Sequence, residues 1–464
     1  MYKVTAMSET SSASVRDLSR AVAPSTHFAD QLDAATAAAL KTERHPGSAF
    51  AGASEDLHTR LEAHIESVRA EMVDLMLDLA AHPEVAFEEH RSSQAIVDLL
   101  ARHGITAQKG VHGVETAIRA ELPAPESAGA DAPTLAVLSE YDALPVVGHG
   151  CGHNVIAVMG LGGFLGLAKL AEEDPAAVPA RIVYLGTPAE EGHSGKEVMA
   201  RAGAFDGLDA AVMAHGYGYD LADQLWLGRR TLTVEFHGHT AHASAQPFMG
   251  RNALDAASLM YQGVGLLRQQ VPPSDRIHAV LTSGGDRASV IPDYARVEMY
   301  VRSPEPATLR DLSSRVHRIA QGAALMTDCG VTISWDNHPP SLSVRTNEAL
   351  TGRWVEAQRR RGRDPLPRGV VSETLAASTD FGNVSFRLPG MHPLIRISDA
   401  EVALHTREFA EAATSELAKS AAADGAYGLA ATLLDVAHDP ELARAVADEF
   451  EAAGGAIDVE TYFD

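Results

Sequence analysis

Between Gly148 and Asn154 the chain reads Gly-His-Gly-Cys-Gly-His-Asn, and from Gly186 it reads Gly-Thr-Pro-Ala-Glu-Glu-Gly. Cys151 and His153 therefore stand two residues apart in a glycine-rich run, and Glu190 and Glu191 are adjacent. Thiolate, imidazole and carboxylate are ligands for zinc and its neighbours in the transition series. A second glutamate beside a ligand glutamate is what a metal hydrolase needs as a proton shuttle. Singly, each feature has an ordinary explanation. A Cys-Gly-His triplet is more often structural, a Glu-Glu pair is usually solvated surface, and a strand-end histidine such as His215 usually has a partner in its own loop. Their order raises the odds, and Gly148, Gly150 and Gly152 leave room for an ion and for strained turns.

Those residues need elements to bring them together. Apolar residues recur at helical spacing from Leu57 to Ala81, and a second helix is expected over His90–His103. Strand-like runs follow at Thr116–Glu121, Thr134–Ser139, Arg181–Gly186 and Ala210–Ala214, with a helix over Val155–Glu172. Strands alternating with helices imply an α/β fold with a mostly parallel sheet, which carries functional residues at strand carboxyl ends. That rule collects Asp142, Cys151 and His153 after one strand, Glu190 and Glu191 after the next, and His215 after a third. From Leu232 the texture changes: four strands (Thr231–Phe236, Ala279–Ser283, Tyr294–Arg302, Val331–Trp335) and two helices suggest a compact α+β insertion. Helical texture returns at Asn347–Arg361 and closes the chain from Glu408 to Ala453. The expected organisation is a mobile extension over 1–54, a discontinuous catalytic domain over 55–230 and 344–464, and an inserted α+β unit over 231–343. The glycines of Gly160-Leu-Gly-Gly-Phe-Leu-Gly166 follow a loop rather than a strand, so a helix-packing role fits better than a dinucleotide fingerprint.

Composition narrows the function classes. The chain has 464 residues, 45% hydrophobic and 22% charged, with a formal net charge of −24, which argues against nucleic acid or an anionic membrane as partner. Two cysteines, Cys151 and Cys329, cannot build a disulfide framework and fit a reducing, cytoplasmic compartment. No basic-then-apolar leader is seen, and no apolar run is expected to span a bilayer.

The chain resembles the dinuclear metal-dependent aminoacylase and carboxypeptidase superfamily, in the branch of hippurate, indole-acetyl-amino-acid and aminobenzoyl-glutamate hydrolases. The resemblance is carried by Phe87-Glu-Glu-His-Arg-Ser, Tyr141-Asp-Ala-Leu-Pro, His149-Gly-Cys-Gly-His-Asn and Gly186-Thr-Pro-Ala-Glu-Glu-Gly. Thr240-Ala-His-Ala-Ser-Ala-Gln-Pro, Gly250-Arg-Asn-Ala-Leu-Asp-Ala, Val290-Ile-Pro-Asp and Asp380-Phe-Gly-Asn-Val-Ser extend it. It implies two divalent ions, Zn²⁺ or Mn²⁺, held by Cys151, His153, Glu191, His215 and His405, with Cys151 bridging. It implies Asp142 as a carboxylate orienting a ligand, and Glu190 as the general base toward a water activated by the two ions. The expected reaction is hydrolysis of the amide bond in an N-acyl amino acid or dipeptide. The insertion is expected to be a ferredoxin-like lid that makes a homodimer. His242 would reach the partner's site, and Asn252 and Arg302 would meet the substrate carboxylate. Ser289 stands where relatives usually carry asparagine. Nothing local singles out His405; only the resemblance does.

Two other classes compete. Cys151 could be a thiol nucleophile with His153 as base, although residues two apart on a loop seldom reach that geometry and Glu190, Glu191 and His215 would be idle. A non-catalytic metal-binding homologue is the other, and the presence of Glu190 with every matched ligand argues against it.

Overall fold

The computed structural model describes residues 18–129 and 131–464. Residues 1–17 of the expected extension lie outside them. The rest of that segment carries helix α1 (His27–Thr42), whose Ala39 and Leu40 pack against a small cluster containing Leu221, Trp226 and Leu366.

Helices α2 (Glu55–Ala81) and α3 (His90–Arg102) open the catalytic part. Leu61, Ile65, Val68, Met72, Leu75 and Leu79 of α2 are buried, the stripe that the spacing called for. Then come β1 (Ala107–Lys109), β2 (Ile118–Leu122), β3 (Thr134–Ser139), α4 (His153–Glu173), β4 (Arg181–Gly186), α5 (Gly195–Arg201), β5 (Ala210–Val212) and β6 (His215–Tyr217). The inserted domain, expected to be the lid, follows as β7 (Gly228–His237), α6 (Ala253–Leu267), β8 (Arg276–Ser283), β9 (Tyr294–Ser303), α7 (Pro306–Thr327) and β10 (Gly330–Trp335). The chain returns through α8 (Glu348–Arg360), α9 (Phe381–Ser385), β11 (Gly390–Met391) and β12 (Leu394–Arg396). It ends in α10 (Arg407–Ala412), α11 (Glu416–His438) and α12 (Pro440–Ala452).

The main sheet has the order β1-β2-β4-β3-β5-β11. Its interior pairings β4–β3, β3–β5 and β5–β11 are parallel, and the β1–β2–β4 edge is antiparallel. This is the α/β fold with a mostly parallel sheet. The lid sheet, β10-β7-β9-β8, is antiparallel throughout and has a core of its own around Leu232, Val234, Phe236, Val297 and Val316.

Three expectations need correction. Helix α4 is long and apolar enough to cross a bilayer by length and composition, contrary to the expectation that no such run exists. It is a core helix nonetheless: residues Val155 to Leu167 are all buried. Its glycines explain the texture, since a Cβ on Gly160 would lie 2.3 Å from the Leu138 carbonyl oxygen, on Gly162 2.4 Å from Met72 Sδ, and on Gly166 2.3 Å from Ile65 Cδ1. Strand β5 stops at Val212, and His215 instead opens β6, which pairs in parallel with β12 as a separate two-stranded sheet. The closing helical segment is three helices: Ser415 caps α11, and Asp439 before Pro440 breaks the run by capping α12.

Candidate metal centre

Asp142 follows β3, and Cys151 sits just before α4, whose first residue is His153. Gly148 and Gly152 turn this loop with φ of 76° and 80°, which a side chain would strain. Gly150 has a different reason: a Cβ there would lie 3.1 Å from the Thr406 carbonyl oxygen and 3.4 Å from His405 Cα. The glycine thus admits a second loop rather than an ion. The His405 amide donates to the Gly150 carbonyl at 2.8 Å, locking the two loops together. His405 itself holds a left-handed φ of 64°, a strain that persists where surroundings over-determine it.

Glu190 and Glu191 follow β4 in a loop where Ala189 also has a positive φ, 62°. Glu89 holds that loop: its Oε1 accepts the backbone N–H of Ala189 and of Phe87, each at 2.9 Å, and its Oε2 accepts the Thr116 hydroxyl at 2.7 Å. Thr116, expected in a strand, lies just outside β2 and serves this anchor.

The histidine tautomers are set by what their Nδ1 atoms touch. His153 Nδ1 lies 3.0 Å from Asp142 Oδ1 and 2.9 Å from the Asp142 carbonyl. His215 Nδ1 donates to the Gly216 carbonyl at 2.8 Å. Each ring then presents Nε2 inward, and His215 Nε2 lies 3.5 Å from Cys151 Sγ. Two triplets of ligand atoms share Cys151, namely Cys151, His153 and His215, and Cys151, Glu191 and His405, with all atoms of a triplet within 4.8 Å of one another. A third, His153, Glu190 and Glu191, overlaps them. His153 Nε2 and Glu191 Oε1 are buried without a hydrogen-bond partner. Orphaned polar atoms of this kind cost stability unless something binds them. The donor set, the locked tautomers and the orphaned atoms fit a divalent metal centre.

Electrostatics agree. Burial, then the charge of Glu191, pushes the Cys151 thiol well above its ordinary range, so the thiolate needs a cation. Burial brings His215 down to about 4, which keeps its imidazole neutral and able to ligate. Burial and the neighbouring carboxylates Glu140 and Glu191 push Glu190 well up. Its Oε2 is 3.9 Å from His153 Nε2. Glu140 is itself paired with the buried Lys196, which binds Asp380 Oδ1 at 2.6 Å. Asp380 of the Asp-Phe-Gly-Asn motif is thus a buried anchor, and Asn383 ties α9 to Glu197 at 3.0 Å.

A cavity of about 400 Å³ opens on Cys151, Glu190, Glu191, His215 and His405, and Arg302 lines it as well. Arg229 and Arg276, which sequence reasoning missed, line it too. His242 and Asn252 do not. The His242 ring is exposed, with Nδ1 taking the backbone N–H groups of Ser244 and Ala245 at 3.3 Å. Asn252 caps α6, its Oδ1 accepting from Leu254 at 3.0 Å. His392 was also missed. It is buried beside His215, its ring centroid 4.9 Å from that of Trp226, and neither nitrogen has a partner.

Residues 227–326 match the peptidase dimerisation domain. The mouse Xaa-Arg dipeptidase is 37% identical over 410 residues, 88% of this chain and 95% of the relative. One of the p-aminobenzoyl-glutamate hydrolase chains of Escherichia coli is 27% identical over 466 residues, 86% of this chain and 95% of the relative. Among solved structures, the Bacillus subtilis YXEP protein, a dinuclear metal-binding peptidase of the M20 family, superposes with a TM-score of 0.59 at 20% identity, covering 78% of this chain and 98% of the other. The chain belongs to the M20 family of metal-dependent peptidases and amidohydrolases. It is a metal-dependent hydrolase of amide or peptide bonds, of the dipeptidase and amidohydrolase kind.

Proposed function

We propose that this chain hydrolyses N-acyl amino acids or dipeptides at a two-metal site held by Cys151, His153, Glu191, His215 and His405. The observation that carries the reading is the pair of ligand triplets sharing the Cys151 thiol, with the Nε2 of His153 and Oε1 of Glu191 left without a hydrogen-bond partner beside it. Two bound divalent cations supply polarisation of the amide carbonyl and a water acidic enough to lose its proton near neutral pH. Glu190 takes up that proton and hands it to the departing amine. Its neighbour Glu191 is held apart for ligation because its backbone N–H is fixed on Asp142 Oδ2 at 2.9 Å. The soft thiolate favours Zn²⁺, and Mn²⁺ is the second candidate among carboxylate and imidazole donors. Cys151 as nucleophile fits less well, since burial raises the thiol it would need to ionise.

The lid makes a homodimer in this reading, and the cytoplasm is its compartment. Support for the dimer comes from the lid surface: Tyr261 and Leu266 of α6 and Val280 and Leu281 of the edge strand β8 are exposed apolar residues. Arg302, on the cavity wall, contacts the substrate carboxylate, and His242 acts toward the partner's site. The test is amine release from a panel of N-acyl amino acids and dipeptides after Zn²⁺ or Mn²⁺ loading, beside Glu190→Gln. Turnover in the wild type and its loss by roughly a hundredfold or more in a variant that keeps its metal is expected. Undiminished turnover in Glu190→Gln would sink the assignment of the base.

A further inference from the structure

The inserted domain starts at β7 and returns after β10, and its two connections meet where Arg229 and Ser341 exchange backbone hydrogen bonds of 2.6 and 2.9 Å. At this seam the buried Arg229 side chain turns back into the catalytic part. Its Nη2 donates to Ser194 Oγ at 3.1 Å and to the Gly192 carbonyl at 3.5 Å. Both acceptors belong to the loop that carries Glu190 and Glu191. Ser194 Oγ donates in turn to the Pro339 carbonyl at 2.8 Å, on the second connection. Beside it the His193 and His338 rings meet with centroids 4.3 Å apart, and His193 Nδ1 lies 2.8 Å from the Glu191 carbonyl. The loop needs such support. Ala189, Gly192 and Ser194 hold positive φ of 62°, 81° and 55°, and non-glycine residues persist there only where their surroundings over-determine the backbone. From the catalytic part, Asp142 fixes the Glu191 amide and Glu89 the Ala189 amide, each at 2.9 Å. The stretch just past Glu191 is gripped instead by Arg229, a residue of the inserted domain.

We propose that Arg229 is a positioning residue for the metal centre, setting the place of Glu190 and Glu191 from the inserted domain of the same chain. This rests on the two-metal reading above and deepens it. The sign of the effect separates such a role from that of a bare charge. Arg229 lines the cavity that opens on Glu190 and Glu191, so its guanidinium repels a divalent cation bound there. Removing the charge alone would tighten metal binding. Releasing a loop that orients a ligand would weaken it.

The test measures Zn²⁺ affinity by competition with a chromophoric chelator, and deuterium exchange of the amides in residues 190–195 in metal-free protein. Arg229→Met removes the charge and the donors while leaving an unbranched chain. Its zinc affinity should fall about tenfold or more, and its loop amides should exchange faster than those of the wild type. Arg229→Lys, which keeps the charge and a donor group, should recover part of both. Arg302→Met, which removes a charge from the same cavity wall, should not weaken zinc binding. Should Arg229→Met not fold, Ser194→Ala removes the shared hydroxyl from the loop side and should weaken zinc binding in the same direction. Zinc held by Arg229→Met as tightly as by the wild type or more so, or weakened equally by Arg302→Met, would overturn the proposal. A wild type that binds no zinc would sink the two-metal reading. Exchange then decides the clamp by itself: faster loop amides in Arg229→Met uphold it, and unchanged ones overturn it.

Discussion

Asp142 Oδ1 lies 3.0 Å from His153 Nδ1, and with the Asp142 backbone carbonyl at 2.9 Å it sets which nitrogen of the ring faces Cys151. The same carboxylate takes the Glu191 backbone N–H on its other oxygen at 2.9 Å. One buried side chain thus aims two of the five expected ligands, from two different loops. Burial opposes its charge, but the facing imidazole holds its carboxyl below the usual range.

Asp142→Asn follows from this division. An amide has a single acceptor oxygen, so either the Glu191 amide loses its partner or the His153 ring is left with the Asp142 backbone carbonyl alone, 2.9 Å away. Metal affinity should drop about tenfold to a hundredfold, measured by competition with a chromophoric chelator. Unchanged affinity would show that neither bond positions a ligand.

The two cysteines give a second comparison. Cys151→Ser should lose more metal than Asp142→Asn, because a serine hydroxyl does not ionise readily into a bridging ligand. Cys329→Ser should leave metal content as it was, since Cys329 packs against the core of the inserted domain and its Sγ donates to the Thr327 carbonyl at 3.7 Å. Metal analysis of the two purified variants decides it, and a larger loss at Cys329 would move the site elsewhere.

Glu89 allows a prediction about pH. Burial first, then the charge of Asp142, raises its carboxyl to about 7 from an ordinary 4.5. The folded protein therefore binds this proton more tightly than the unfolded chain does. The stability it contributes is complete below about pH 4.5 and is lost as pH rises through about 7, a difference on the order of 3 kcal/mol. Glu89→Gln should flatten denaturant-midpoint stability across that window, and a slope equal to the wild type's would refute the assignment. Glu89→Ala should instead strand the Ala189 and Phe87 amides, at about 1–3 kcal/mol each, and lower turnover by freeing the loop that carries Glu190.

How much of this was readable beforehand differs from residue to residue. Cys151, His153 and the two glutamates were legible because short spacing and flanking strands survive folding as neighbours. His405 was not legible locally. It reaches the site through a strained backbone held by the Gly150 carbonyl, a contact between residues more than 250 positions apart that only the resemblance could suggest. Arg229 and Arg276 escaped because β7 begins at Gly228 and β8 at Arg276, three residues earlier than the apolar alternation implies. Charged strand ends read as loop, so their place on the cavity wall was invisible. His392, a buried imidazole among aromatic rings, carried no motif at all.

The last prediction concerns His242, which is exposed and stands outside the cavity of its own chain. Its Nδ1 is taken by the Ser244 and Ala245 amides, so Nε2 is the atom available to another molecule. If a second copy docks through the lid, His242 of one protomer can complete the site of the other and donate to the carbonyl oxygen as charge develops there. His242→Ala and Glu190→Gln homodimers should then each be nearly inactive. Mixed under conditions that permit exchange of protomers, they should regain activity, because one site of each heterodimer combines Glu190 from one chain with His242 from the other. Random mixing makes half the dimers mixed with one complete site of two, so recovery should approach about one quarter of the wild-type level. Exchange demonstrated by mass spectrometry without any recovery would show that His242 does not act across the dimer.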